Sequence, residues 1–237
     1  MEFKNKQKRD LIDCHVSLGN DLLLAVHNLT LSEKKVVWLM LSKLNSKEKL
    51  EPDHISVLKA EEYADMLGIK PSDAFYMLER VADTLLSKKV TLAAGDKVYK
   101  FHWIDWICID KDVREISVTW NKEIRARISE LGADNPFTKI FNIDYVRLNS
   151  KHSLRLYEII ASMRHFGKEG FLYLDIETIK NLFELTSSYD NFATLTAKVL
   201  EPAIAELKDR SIVKLTMNPC KKVGKKITRL RFDFVFY

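Results

Sequence analysis

Apolar positions recur along this chain with two alternating periods, and the order in which the periods follow one another is played through twice. Near the N-terminus Leu22, Leu23, Val26 and Leu29 form a helical stripe. Ser32-Glu33 then opens a helix whose apolar set is Val36, Val37, Leu39, Met40, Leu41 and Leu44. A polar loop over 45–54 leads into a short strand, ISVL (55–58), and a helix over 60–67 that Gly68 breaks. Pro71 occupies a favoured first-turn position of the next helix, 72–87, which turns Ala74, Met77, Leu78, Val81 and Leu85 inward. Ser72, Asp73, Tyr76, Glu79, Arg80 and Asp83 fall mostly outward. KKVTLAA, a turn at Gly95-Asp96, KVYKFHWIDWICID, another turn and REISVTW alternate in strand fashion, one long hairpin. A connecting helix over 121–131, a break over 132–136 and FTKIFNID complete the first round.

The second round runs as helix 150–164, a turn over 167–170, strand FLYLD, helix 176–184, the turn TSSYDN and a helix over 192–209. Phe192, Leu195, Val199, Ile204 and Leu207 give that last helix its apolar spacing; strand IVKLTMN, a basic turn and strand ITRLRFDFVFY follow. VLKAEEYADMLGI (57–69) and YLDIETIKNLFEL (173–185) share a layout at a constant offset of 116, and the helices that precede them stand 119 apart. Repeats far longer than a solenoid unit imply duplicated domains. Two helices joined by a tight turn, with a hairpin behind them, make a winged helix-turn-helix, a fold that most often docks on DNA. The expected fold class is therefore α+β, two tandem winged-helix domains related by internal duplication. The expected boundaries are a flexible segment 1–15, a first domain 16–144 and a second 145–237.

Composition adds little until charge is located. At 237 residues, 46% apolar and 30% charged, the chain suits two ordinary globular domains. No apolar stretch approaches the ~20 residues that span a bilayer, and the charged N-terminus MEFKNKQKRD lacks the apolar core of a signal peptide. Three scattered cysteines suit a reducing cytoplasm and neither a disulfide framework nor a zinc site. The net charge of +5 is confined to the second half, and 221–231 alone carries Lys221, Lys222, Lys225, Lys226, Arg229 and Arg231 with no acid. Such a ridge is what a phosphate backbone requires, although lysines on an exposed hairpin also deter strand pairing. Trp103, Trp106 and Trp120 lie in the first hairpin, where sheet core is the expected role and a surface for a second copy the alternative.

Catalytic chemistry is not visible. There is no nucleotide cradle among seven glycines, and the six histidines are isolated from one another. Asp110 and Asp112 flank Lys111 and read as a turn; Glu33, Glu61 and Glu62 suit helix N-termini. Tyr145, Tyr157, Tyr173 and Tyr189 have no basic or metal-binding companion nearby in sequence. The expectation is a protein that is not an enzyme and holds no metal or cofactor.

A family resemblance completes the reading. SLRLYEII (153–160), SYDN (188–191), KVLEPAIAELK (198–208) and KKVGKKITRLRFDF (221–234) closely resemble the iteron-binding plasmid replication initiator (Rep) proteins. NDLLLAVHNLTLSEKKVVWLML (20–41), AEEYADMLGI (60–69) and FTKIF (137–141) resemble their N-terminal half and its link. The resemblance implies two winged helices astride a directly repeated origin site of about 20 base pairs, with recognition helices about two turns apart. It also implies origin opening, recruitment of the host initiator and replicative helicase, and monomer–dimer exchange through the N-terminal domain. The dimer would repress the chain's own promoter at an operator inverted repeat; a repressor with no replication role is the alternative. The relatives' arginine-rich segment before VLEPAI is here NFATLTAK (191–198), leaving Asn191, Thr194, Thr196 and Lys198 as base-reading candidates with an A·T leaning. Ser187, Ser188 and Tyr189 stand at the helix start, where N–H groups favour a phosphate. Lys70, Ser72, Asp73, Tyr76 and Arg80 are the candidates of the first domain, and Lys221, Lys222, Lys225 and Lys226 those of the wing. A cytoplasmic, plasmid-encoded bacterial protein that binds double-stranded DNA and no membrane is implied.

Overall fold

The computed structural model describes residues 11–132 and 135–237. In chain order the first module contains β1 (His15–Gly19), α1 (Asn20–Leu23), β2 (Val26–His27), α2 (Leu31–Ser42), β3 (Ser56–Lys59) and α3 (Ala60–Leu67). It continues with α4 (Pro71–Leu85), β4 (Lys89–Ala94), β5 (Lys97–His102), β6 (Ile104–Asp110), β7 (Glu115–Trp120), α5 (Lys122–Ile128) and β8 (Phe137–Phe141). A short link, α6 (Asn142–Tyr145), leads into the second, which contains α7 (Lys151–Ala161), β9 (Glu169–Asp175), α8 (Ile176–Leu182), α9 (Phe192–Leu195), α10 (Glu201–Asp209), β10 (Val213–Val223) and β11 (Lys226–Phe236). Both modules are winged helices, and their apolar side chains form one continuous cluster.

The duplicated helices α2 and α7 lie at the centre of that cluster. Thr30 caps α2 through a reciprocal pair: Glu33 N donates to Thr30 Oγ1 (3.3 Å) and Thr30 N donates to Glu33 Oε2 (2.7 Å). Beyond the cap nearly every residue of α2 is buried, Lys34 and Lys35 included, and α7 is buried all round from Ser153 to Ala161. A helix covered on every side belongs in the middle of a protein, not on its surface. Each therefore faces its own module on one side and the other module on the next.

Several elements differ from the sequence expectation. The helical stripe over 22–29 is a single turn, α1, followed by β2, which pairs with β4 (His27 opposite Val90). Pairing with a strand more than sixty residues away overrides a weak local period. FTKIF returns as β8 to pair with β1, His15 opposite Phe141 and Gly19 opposite Phe137. Residues 11–15, assigned to a flexible segment, are held by this pairing and by Asn142, whose N–H donates to Cys14 O and whose Nδ2 donates to Leu11 O. Residues 1–10 of that segment, and 133–134 of the expected break, lie outside the described residues.

The long first hairpin is also two sheets, β2-β4-β5 and β3-β7-β6, where the second module has one, β10-β11-β9. The break falls at Trp103. Its side chain is drawn fully into the core against Trp38 and His27, with ring centroids 5.7 Å and 5.6 Å away. Trp120 is buried too and donates from Nε1 to Ser56 Oγ (2.8 Å), whereas Trp106 on the edge strand β6 stays 44% exposed. Burial, reinforced by Lys34 and Arg155, holds the His27 imidazole well below its usual pKa and hence neutral.

Candidate nucleic-acid interface

The first helix-turn-helix is α3, a three-residue turn and α4. Gly68 ends α3 in the left-handed region (φ +65°), and Ile69 N–H reaches back to Ala64 O (3.1 Å), which folds the chain sharply toward α4. Pro71 starts α4 with its φ already helical. Ala74, Leu78, Val81, Ala82 and Leu85 are buried and Met77 half-buried, so Lys70, Ser72, Asp73, Tyr76 and Arg80 stand exposed on the opposite face. Tyr76 is 61% exposed, with the Arg80 guanidinium 5.9 Å from its ring. Asp73 differs in kind from its neighbours: a carboxylate repels phosphate and can only accept a hydrogen bond, as from the cytosine amino group.

In the second module the same turn is longer. Glu184 takes the place of Gly68 at the 116 offset, also left-handed (φ +56°), and Leu185 N–H donates to Lys180 O (2.9 Å) as Ile69 does to Ala64. Seven residues, not two, then separate the left-handed residue from the next helix. They include a 3-10 turn at Ser187–Tyr189, and the Thr186 and Ser188 hydroxyls lie 2.7 Å apart. Lys180 on α8 bonds Asp190 at 2.5 Å, which raises the lysine's pKa and ties the turn to the helix before it. Ser187 and Ser188 are exposed; Tyr189 is half-buried against the core.

The helix expected over 192–209 is three segments. After α9, residues 196–200 widen into a π turn closed by Glu201 N–H to Thr196 O, and α10 follows. The cause is Pro202. It has no N–H to give Lys198 O and its ring would strike that carbonyl, so the helix opens just before it. This alters the presentation of two candidates. Asn191 is the N-cap of α9, its Oδ1 accepting from Thr194 N–H (3.2 Å). A two-point contact with adenine, expected from the sequence, would therefore compete with the cap. Thr196 Oγ1 is buried without a partner, so in this arrangement its hydroxyl is not offered to a base. Thr194 is half-buried, and Asn191 and Lys198 are exposed.

Behind this helix the β10–β11 hairpin forms the wing. Gly224 (φ +59°) opens its two-residue turn, a conformation that L side chains rarely adopt. A bulge between Pro219 and Lys222 increases the hairpin's twist. Lys221, Lys222, Lys225 and Lys226 are exposed and form none of the ion pairs among the described residues. The other two cations of the ridge are already neutralised. Arg229 makes a two-pronged contact with Asp175 directly opposite on β9 (2.7 and 3.1 Å), holding that carboxyl below its usual pKa. Arg231 bonds Asp233 (2.6 Å) and covers the Phe171 ring. The duplication also maps a first wing, β4–β5, whose turn again begins with a left-handed glycine, Gly95. Lys97 and Lys100 are exposed there. In the sequence only the repeat singles these two lysines out.

Comparisons with known proteins agree with this geometry. The family model described as "Initiator Replication protein, WH1" matches residues 15–161, and "Initiator Rep protein, WH2" matches 175–234. The PI protein of Escherichia coli is 27% identical over 248 residues, covering 91% of this chain and 81% of the relative. A crystal structure of the Pi initiator protein in complex with iteron DNA superposes with a TM-score of 0.84 at 25% identity, covering 95% of this chain and 98% of that one. With both of its winged helices matched in order, the chain belongs to the initiator replication protein family of plasmid Rep proteins.

Proposed function

We propose that this protein initiates plasmid replication by binding directly repeated origin DNA, the iterons, sequence-specifically as a duplex. One observation carries the reading: each module turns an exposed polar helix face outward beside a wing, and four unpaired lysines crown the second wing. The similar fold of an initiator held on iteron DNA supports it. Lys221, Lys222, Lys225 and Lys226 hold phosphates, which position the protein without reading sequence. Residues of α4 (Lys70, Ser72, Asp73, Tyr76, Arg80) and of the segment from Ser187 to Lys198 face the grooves. Opening of the origin, recruitment of the host initiator and replicative helicase, and repression of its own promoter by a dimer belong to the same proposal. It works in the bacterial cytoplasm by binding and not by catalysis, with no cofactor.

The test is fluorescence anisotropy of the protein on direct repeats from its own replicon against a scrambled duplex, across a salt series. A preference of about a thousandfold or more with a steep salt dependence is expected. Equal weak binding to both duplexes would remove the origin assignment and leave only the fold.

A further inference from the structure

Between the modules lies a cluster of buried charge that DNA contact does not use. Lys34 on α2 donates to Glu158 Oε2 on α7 (3.0 Å), and Arg155, one turn before Glu158, donates to the same oxygen (3.1 Å). None of the three side chains is more than 8% exposed. Arg155 is committed further. Its Nη1 donates to Leu23 O (2.6 Å), at the end of α1, and its Nη2 to Ala25 O (2.8 Å), in the turn before β2 of the first module. Its Nε donates to Leu182 O (2.8 Å), the last residue of α8, the first helix of the second helix-turn-helix. One guanidinium thus holds a first-module turn and the second module's DNA-facing unit at once.

Charges are costly to bury, and an apolar replacement of similar volume is often as stable or more so. Where stability alone does not call for such a cluster, its directional bonds still select one geometry. Apolar surfaces can slide by an ångström with little loss; five charge-assisted hydrogen bonds cannot. Inserting one base pair between two half-sites moves them apart by about 3.4 Å and turns one relative to the other by about 34°. A protein reading both must either yield by that much or refuse the site. Building on the duplex-reading function proposed above, we propose that Arg155, Glu158 and Lys34 are positioning residues. They fix the second helix-turn-helix relative to the first, and so set the half-site spacing that the chain accepts.

The experiment uses the full chain. Footprinting on the origin repeat first locates the two half-sites. Competition binding then compares the native duplex with duplexes carrying one or two base pairs added or removed between them. The native protein should prefer its own spacing by about thirtyfold or more. Arg155→Met, and the triple change Lys34→Met, Arg155→Met and Glu158→Leu, remove charge and keep the side chains apolar and of similar length. Each should lower that preference to about threefold or less while both half-sites remain protected. An undiminished preference in a folded variant would overturn the proposal, and so would a uniform loss at every spacing. A second arm needs no DNA. In a background of Cys14→Ser, Cys108→Ser and Cys220→Ser, spin labels at Asp83→Cys and Lys208→Cys report the distance between modules. That distribution should be narrow, and Arg155→Met should broaden it; an unchanged width overturns the proposal. Broadening together with unspecific DNA binding by the native protein would instead fault the duplex-reading function.

Discussion

The first helix-turn-helix ends its leading helix on a glycine and the second on a glutamate, yet both residues are left-handed and both are followed by the same backbone hydrogen bond. Gly68 adopts that conformation freely, and a Cβ there would meet nothing within 4 Å, so only the backbone matters. Glu184 adopts it at a cost. Its carboxyl titrates above the usual range, raised by partial burial and pulled back by Lys34, Arg155 and Lys151. The second module has accepted backbone strain and gained an acid beside the cations that join the modules. The two turns that follow diverge further. The short first one leads to a helix whose N-cap, Lys70, makes no side-chain cap bond; the longer second one is tied by Lys180–Asp190 and capped by Asn191. Duplication preserved the corner and let the approach to DNA drift.

This comparison can be broken most severely at the junction. Glu158→Ala strands Lys34 and Arg155 in the core and should cost about 3–5 kcal/mol in urea unfolding. The paired change Lys34→Met with Glu158→Leu leaves one stranded cation, Arg155, instead of two and should cost less than Glu158→Ala; equal losses would mean that the Lys34 charge is not what matters. Gly68→Ala forces a side chain into the left-handed region and should cost about 1–2 kcal/mol by the same assay. Asn191→Ala removes the second module's cap and should cost about 1 kcal/mol. Lys70→Ala, the corresponding change in the first module, should leave the urea midpoint unmoved and weaken DNA binding only. Glu184→Gly should stabilise by about 0.5–1 kcal/mol; a loss instead would mean that the acid's charge outweighs its strain. Smallest is Lys222→Ala, which should leave stability intact and lower the salt slope of DNA binding by about one unit.

The elements that a local signal controls were legible in the sequence. Gly68 and Pro71 bound the first turn within a residue of their expected places, and the 116 offset holds down to single hydrogen bonds. What was not legible depended on partners far along the chain. Nothing local shows that Lys34 meets Glu158 in the core, or that β8 returns to β1. Six cations in the wing could be counted, but the register that sets Arg229 opposite Asp175 could not. Pro202 was in plain view as part of VLEPAI. A helical period carries straight through a proline, so the widened turn before it, and the buried Thr196 hydroxyl, went unseen.

Because α2 and α7 are enclosed on all sides, the surface that each would expose alone is the surface that now joins them. Cutting the chain between its modules would take the Glu158 carboxylate from Lys34 and uncover apolar surface on both helices. The two copies are therefore expected to fold as one unit. On heating, the chain is expected to give a single calorimetric transition with the enthalpy of the whole protein, a repeat in sequence that has become one body in thermodynamics.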